Sequence, residues 1–207
     1  MYRPANCKTR LAGVVLAGGL SSRLGQDKAR LTLRGTDASD LLAQSVALLS
    51  RHCGQVLVAC RQGQTFAAYS CVHDKHQGLG PLAGIQAAML AARLPLLALA
   101  CDLPFMDDAT LQRLVAAHAA RPEQAIMTTF RQAETGFIEA LTSIYEPDCL
   151  VLFTRAIDTG QRQINLIIPQ DRRHDIVYAQ SEARPFFNIN CLEDLDQARA
   201  LMVRKRS

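Results

Sequence analysis

A chain of 207 residues with a net charge of +4, 49% apolar and 20% charged suits one compact domain that buries a core without disulfide or metal support. The basic excess is small and scattered, apart from the tail Arg204-Lys205-Arg206, and there is no tryptophan and no basic face interleaved with aromatics, which excludes nucleic acid as the expected partner. The seven cysteines include no C-x-x-C pair, which argues against a zinc site or disulfide framework and for a reducing compartment.

Residues Met1–Arg10 are polar and contain no apolar leader core. The longest apolar stretch, Leu82–Cys101, is broken by Gln86, Arg93 and Pro95, so no membrane association is expected. The expectation is a cytoplasmic protein with a single domain over residues 1–207, flexible at 1–10 and 204–207.

In chain order, Leu11–Leu16 is a continuous apolar strand of the kind covered on both faces. Asp40–His52 has helical spacing, and Gln55–Cys60 is a valine-rich strand. Ser70–Val72 predicts a short third strand. Pro81–Arg93 predicts a helix with proline in its first turn, where a missing N–H costs nothing. Leu96–Cys101 is a further apolar strand, followed by a helix capped by Asp107 or Asp108 and running to about Ala119. Ala125–Thr129 and Ile138–Tyr145 predict strands, and Pro147–Thr159 predicts a helix ended by Gly160. Asp175–Tyr178 and Phe187–Asn190 predict short strands, and Glu193–Val203 a last helix. Strands alternating with helices predict an α/β layered fold with a mostly parallel sheet, whose ligands sit at the carboxyl ends of strands.

The unusual residues cluster just after those strands. Leu16-Ala-Gly-Gly-Leu-Ser-Ser-Arg-Leu-Gly-Gln-Asp-Lys28 follows the first one. Gly18 and Gly19 let the backbone approach a ligand, successive amides can form an anion nest, and Arg23 and Lys28 add two positive charges. The spacing matches neither a Walker A loop nor G-x-G-x-x-G. Asp102 directly follows an apolar strand, where a hard carboxylate suits Mg²⁺ bridged to phosphates. Asp74 follows the short third strand, and Gly78–Gly84 is a glycine-rich helix entry whose free N–H groups suit an anion or a base edge. Asn188 and Asn190 alternate, which on a strand places both amides on one face. His73 and His76 flank Asp74 and Lys75 with no evident third metal ligand.

Taken together, these residues resemble the molybdenum cofactor guanylyltransferase family. The resemblance runs from about Leu11 to Leu201 and is most specific over Leu16–Ala29, with Gly80–Gly84, Cys101–Phe105, Asn188–Asn190 and Glu193–Leu195 following in the family's order. It implies a three-layer Rossmann-like nucleotidyltransferase fold with a mostly parallel central sheet. It also implies transfer of GMP from GTP to the terminal phosphate of molybdopterin or its metal-loaded form, with Mg²⁺ as cofactor and molybdoenzyme maturation proteins as partners. The implied nucleotide-binding residues are Leu16, Ala17, Gly18, Gly19, Lys28, Asp74, Gly80 and Asp102. The implied catalytic residues are Arg23, Lys28 and Asp102, the metal ligand is Asp102, and Asn188 and Asn190 fall on the acceptor or metal side. Two positions depart from the family pattern. Cys60 lies close to where relatives carry a polar residue, often asparagine, and the run Gly136–Tyr145 lacks the proline that relatives show near Ala140.

Rival readings are a cytidylyltransferase acting on the same or another phosphorylated acceptor, and a nucleotide-binding protein without turnover. Cytidylyl relatives usually carry Leu-Ala-Ala-Gly where this chain has Leu16-Ala-Gly-Gly19, and often an Asp where Asn190 stands. A non-catalytic binder has no need of the Asp102 carboxylate.

Overall fold

Strands with no polar side to offer water must be covered on both faces, and β1 (Ala12–Leu16) and β4 (Leu96–Ala100) lie in the middle of the sheet for that reason. The computed structural model describes residues 11–18, 29, 31–32, 40–74 and 78–203. Among these residues one seven-stranded sheet forms, completed by β2 (Gln55–Cys60), β3 (Cys71–His73), β5 (Met127–Gln132), β6 (Ile138–Tyr145) and β7 (Arg173–Tyr178), in the order β3-β2-β1-β4-β6-β5-β7. β1 runs parallel to both β2 and β4, β2 to β3, and β5 to β7, while β6 is antiparallel to β4 and β5. The sheet is therefore mostly parallel, as expected.

Helices α1 (Leu41–Leu49), α2 (Pro81–Ala92), α3 (Asp108–Ala119) and α4 (Cys149–Asp158) cover the two faces. One core joins Ala12, Val14, Leu96 and Ala98 to Leu82, Ile85 and Ala88 of α2 and Phe153 and Ile157 of α4. The other joins Val15, Leu97 and Leu99 to Leu42 and Leu49 of α1 and Leu111 and Leu114 of α3. The alternation along β1, Val14 one way and Val15 the other, is the strand period of two made into two cores. A four-residue helix α5 (Ile164–Ile167), unmarked in the sequence reading, packs against α4 and β6. The last helix, α6 (Leu192–Val203), docks through Leu195 and Ala198 on a third cluster with Leu31, Leu41 and Ile189.

Local signals act where their chemistry predicts. The Asp40 carboxylate accepts from the Ala43 N–H at 2.7 Å, and that of Asp107 accepts from the Thr110 N–H at 2.8 Å, each satisfying a donor that the first helical turn leaves over. Gly160 ends α4 with a positive φ of 72°. At the sheet edge remote from the carboxyl ends of β1 and β4, Glu146 just past β6 accepts from Arg121 at 2.8 Å and pairs with His118 of α3 at 2.5 Å.

Several expected boundaries move. The strand expected at Ala125–Thr129 is β5, shifted to Met127–Gln132, because a turn closes Ala125 N–H onto Pro122 O and the hairpin to β6 carries pairing through the polar Arg131 and Gln132. The helix expected from Pro147 begins at Cys149 after a turn at Glu146 and Pro147. The strand expected at Phe187–Asn190 is absent. A 3-10 turn at Arg184–Phe186 precedes this segment, and the Ile189 N–H is spent on Asp102 O at 3.0 Å rather than on a ladder. No helix among the described residues is long and apolar enough to cross a membrane.

Phe153 is fully buried and meets the Tyr145 ring edge to face at 5.3 Å between centroids. Phe153→Ala is expected to lower unfolding free energy by about 3–5 kcal/mol, read as a drop in the urea midpoint at unchanged slope.

Candidate functional site

The site grows from a shared strand end. Leu16 pairs with Ala59 on one side and Ala100 on the other. One residue further the ladder still holds: Ala17 N–H donates to Ala59 O at 3.1 Å and Cys101 N–H to Leu16 O at 3.4 Å. The chain after β1 (Gly18), after β2 (Arg61 and Gln62) and after β4 (Asp102) thus leaves the sheet on one level. Together with the entry to α2 these segments line a cavity of about 540 Å³, within the size range of sites that enclose a small ligand.

Glycine keeps that cavity open. A Cβ on Gly84 would stand 3.1 Å from the Ala59 Cβ, so glycine lets α2 lie close over β2. Gly80 has φ 64° and ψ −147°, a conformation open in practice to glycine alone. It turns the chain into α2 with no side-chain cap and with Pro81 in the first turn, so backbone donors at this helix start are left for another acceptor.

Leu16, Gly18, Asp74, Gly80 and Asp102 all line this one cavity, although they come from four separate stretches of the sequence. Ala17 is buried just behind it. Gly19, Arg23 and Lys28 lie outside the described residues, as does His76. His73 is exposed, and its Nε2 lies 3.0 Å from Gln64 O. Asn188 and Asn190 do not line the cavity and do not share a strand face, because their segment is not a strand. The bond from Ile189 to Asp102 O nonetheless brings Asn188 beside Asp102. The Asn188 Oδ1 is buried without a hydrogen-bond partner, whereas Asn190 is exposed and its N–H donates to the Asp194 carboxylate at 2.7 Å.

Arg61, Gln62 and Leu141 also line the cavity and escaped the sequence reading. The first two were within reach, since they follow the strand Gln55–Cys60 at the same edge as the glycine loop. Leu141 carried no signal, because an apolar residue within a strand looks like core. Cys60 reaches the cavity while 98% buried. Beyond Leu141, burial raises the Glu139 carboxyl above the ordinary carboxylate range, opposed by the hydrogen bond it accepts from the Tyr178 hydroxyl at 2.5 Å.

Comparison with known proteins agrees with this architecture. The model of the MobA-like NTP transferase domain matches residues 13–199. A probable molybdenum cofactor guanylyltransferase of Opitutus terrae is 33% identical over 201 residues, spanning 91% of this chain and 95% of the relative. A molybdenum cofactor biosynthesis bifunctional protein of Synechocystis is 33% identical over 158 residues, but these are 74% of this chain and only 44% of that longer protein. The crystal structure of molybdopterin-guanine dinucleotide biosynthesis protein A from Archaeoglobus fulgidus superposes with a TM-score of 0.74 at 25% identity, over 93% of this chain and 99% of that one.

Gly80→Ala places a Cβ at a positive φ and is expected to cost about 1–3 kcal/mol of strain or to push the α2 entry into another shape. Thermal melts should show a lowered Tm, and nucleotide titrations a weakened affinity, while Gly160→Ala, also at positive φ but with no cavity-lining residue beside it in the chain, should lower Tm alone.

Proposed function

Because the chain belongs to the MobA-like NTP transferase family, we propose that it transfers GMP from GTP to the terminal phosphate of molybdopterin, or of its metal-loaded form, and releases pyrophosphate. The observation that carries this reading is the convergence of Leu16, Gly18, Asp74, Gly80 and Asp102 on one cavity at the carboxyl edge of the sheet. The relatives named as molybdenum cofactor guanylyltransferases support the choice of nucleotide and acceptor.

The chemistry asks little of the protein beyond placement. A phosphate monoester is an anion at neutral pH, so its oxygen attacks the α-phosphorus of GTP without a general base. The bond from the α-phosphorus to the bridging oxygen breaks, and pyrophosphate leaves with the electron pair. The work is to align two polyanions and spread the charge of the transition state. Gly18 and Gly19 bring loop amides to the triphosphate, Arg23 and Lys28 supply positive charge, and Gly80 presents the start of α2. Asp74 and the residues after β2 hold the nucleoside side.

The carboxylate of Asp102, just past β4 on the cavity lining, fits magnesium. Asp102 lines the cavity, and its backbone O holds the neighbouring Ile189 segment, in which the Asn188 Oδ1 is buried without a hydrogen-bond partner. Asp102 would anchor Mg²⁺, the remaining positions being left to phosphate oxygens and water. When bound, the ion supplies charge neutralisation at the phosphates.

Two measurements test the reading. Pyrophosphate release with molybdopterin is expected to be fastest with GTP among the four nucleoside triphosphates, and equal or faster turnover with CTP would overturn the guanylyl assignment. Asp102→Asn is expected to lower turnover at saturating GTP on the order of a hundredfold with little change in Tm. Near-normal turnover of this variant at low Mg²⁺ would move the metal site elsewhere.

A further inference from the structure

The sheet face on which Leu141 lines the cavity continues past the cavity to β5 and β7. Ala98, Ser143, Thr129 and Asp175 form one row across four strands, paired in turn through β4, β6, β5 and β7. Their side chains share the face on which Ala100 and Leu141 line the cavity. Arg131 stands two residues along β5 from Thr129, on that same face, about 10 Å or two strand spacings from β4. Its Nε donates to the Asp175 Oδ2 at 3.0 Å, and about a third of its side chain remains exposed.

Two features mark this pair as more than a strut. The pairing of β5 with β6 is interrupted beside it: from Thr129↔Ser143 to Arg131↔Ile138, β5 advances two residues and β6 five. The extra length of β6 contains Leu141, so the interruption lies between Arg131 and the cavity wall. Such bulges bend a strand and re-aim side chains. The second feature is energetic. The other Asp175 oxygen, Oδ1, is buried with no hydrogen-bond partner, which costs stability. A carboxylate kept at that cost holds the guanidinium through Nε and leaves the Nη N–H groups able to meet a second acceptor.

We propose that Arg131, oriented by Asp175, grips the end of the acceptor substrate remote from its phosphate, donating hydrogen bonds to a carbonyl oxygen or anionic group there. The inference rests on the acceptor being a phosphorylated molecule long enough to cross two strands, as in the function proposed above. Arg131 is then a specificity residue and takes no part in bond making. Asp175 is a positioning residue that acts through it.

The test is equilibrium binding of molybdopterin to the nucleotide-free protein, with GTP binding and pyrophosphate release measured alongside. Arg131→Gln is expected to weaken molybdopterin by about tenfold or more and raise its KM, with the KM for GTP unchanged. Arg131→Lys, which keeps the charge but loses the fork, should fall between Arg131→Gln and wild type. Asp175→Asn should weaken molybdopterin several-fold without lowering Tm. A small phosphomonoester lacking the ring system should bind all four proteins alike. Unchanged molybdopterin affinity in Arg131→Gln, or an equal loss for GTP and molybdopterin, overturns the proposal. Should wild type bind molybdopterin in an Arg131-dependent way yet release no pyrophosphate from GTP, the guanylyl reading fails and the role of Arg131 stands. Should wild type not bind molybdopterin at all, both fall.

Discussion

β1 lies in register between two parallel neighbours, Leu16 opposite Ala59 and opposite Ala100. The level of that shared end decides where Gly18, Arg61 and Asp102 leave the sheet, and so decides that they meet. The register is held by the two cores. A slip of one residue would turn Val14 toward α1 and α3 and Val15 toward α2 and α4, emptying both clusters at once. Gly84 adds a steric check, since the contact of its backbone with Ala59 lets α2 lie close over the end of β2.

From β1 the sheet extends to β2 and β3 on one side and to β4 on the other, so the crossovers diverge at β1 and β4. That divergence opens the crevice in which α/β sheets take their ligands. The two sides of the sheet then part in character. The parallel side is apolar, while the far side carries buried Thr128, Thr129, Thr142 and Ser143, with a hydroxyl bond of 2.7 Å from Ser143 to Thr129. Thr128 Oγ1 and Asp175 Oδ1 are buried without hydrogen-bond partners. Buried polar atoms in this state subtract from stability, so the apolar side contributes more to holding the fold.

The division also suits the chemistry of two polyanions. Glycine backbone and a helix start on the apolar side offer donors without bulk, whereas β5 and β7 offer side chains of fixed direction. Asp102 sits where the two sides meet, at the end of the last parallel strand before the antiparallel β6. In the proposed reaction a charge placed there would face both substrates.

Much of this was legible in residue order alone. The apolar runs at Leu11–Leu16 and Leu96–Cys101 announced strands covered on both faces, and Asp40, Asp107, Pro81 and Gly160 marked helix ends, because capping and backbone conformation are local matters. Glycines and carboxylates past the strand ends pointed to the ligand edge, and Gly18, Asp74, Gly80 and Asp102 line one cavity. Only the tertiary structure decided the rest. The Asn188–Asn190 segment is no strand because its backbone is claimed by Asp102 O, a partner distant in sequence. Leu141 lines the cavity, and Arg131 faces Asp175 across a strand pair, because a bulge and a register set them there. Residue type and spacing carry the local rules. Which distant segments share a wall follows from how strands pair and which faces the cores can bury, and that exists only once the chain has packed.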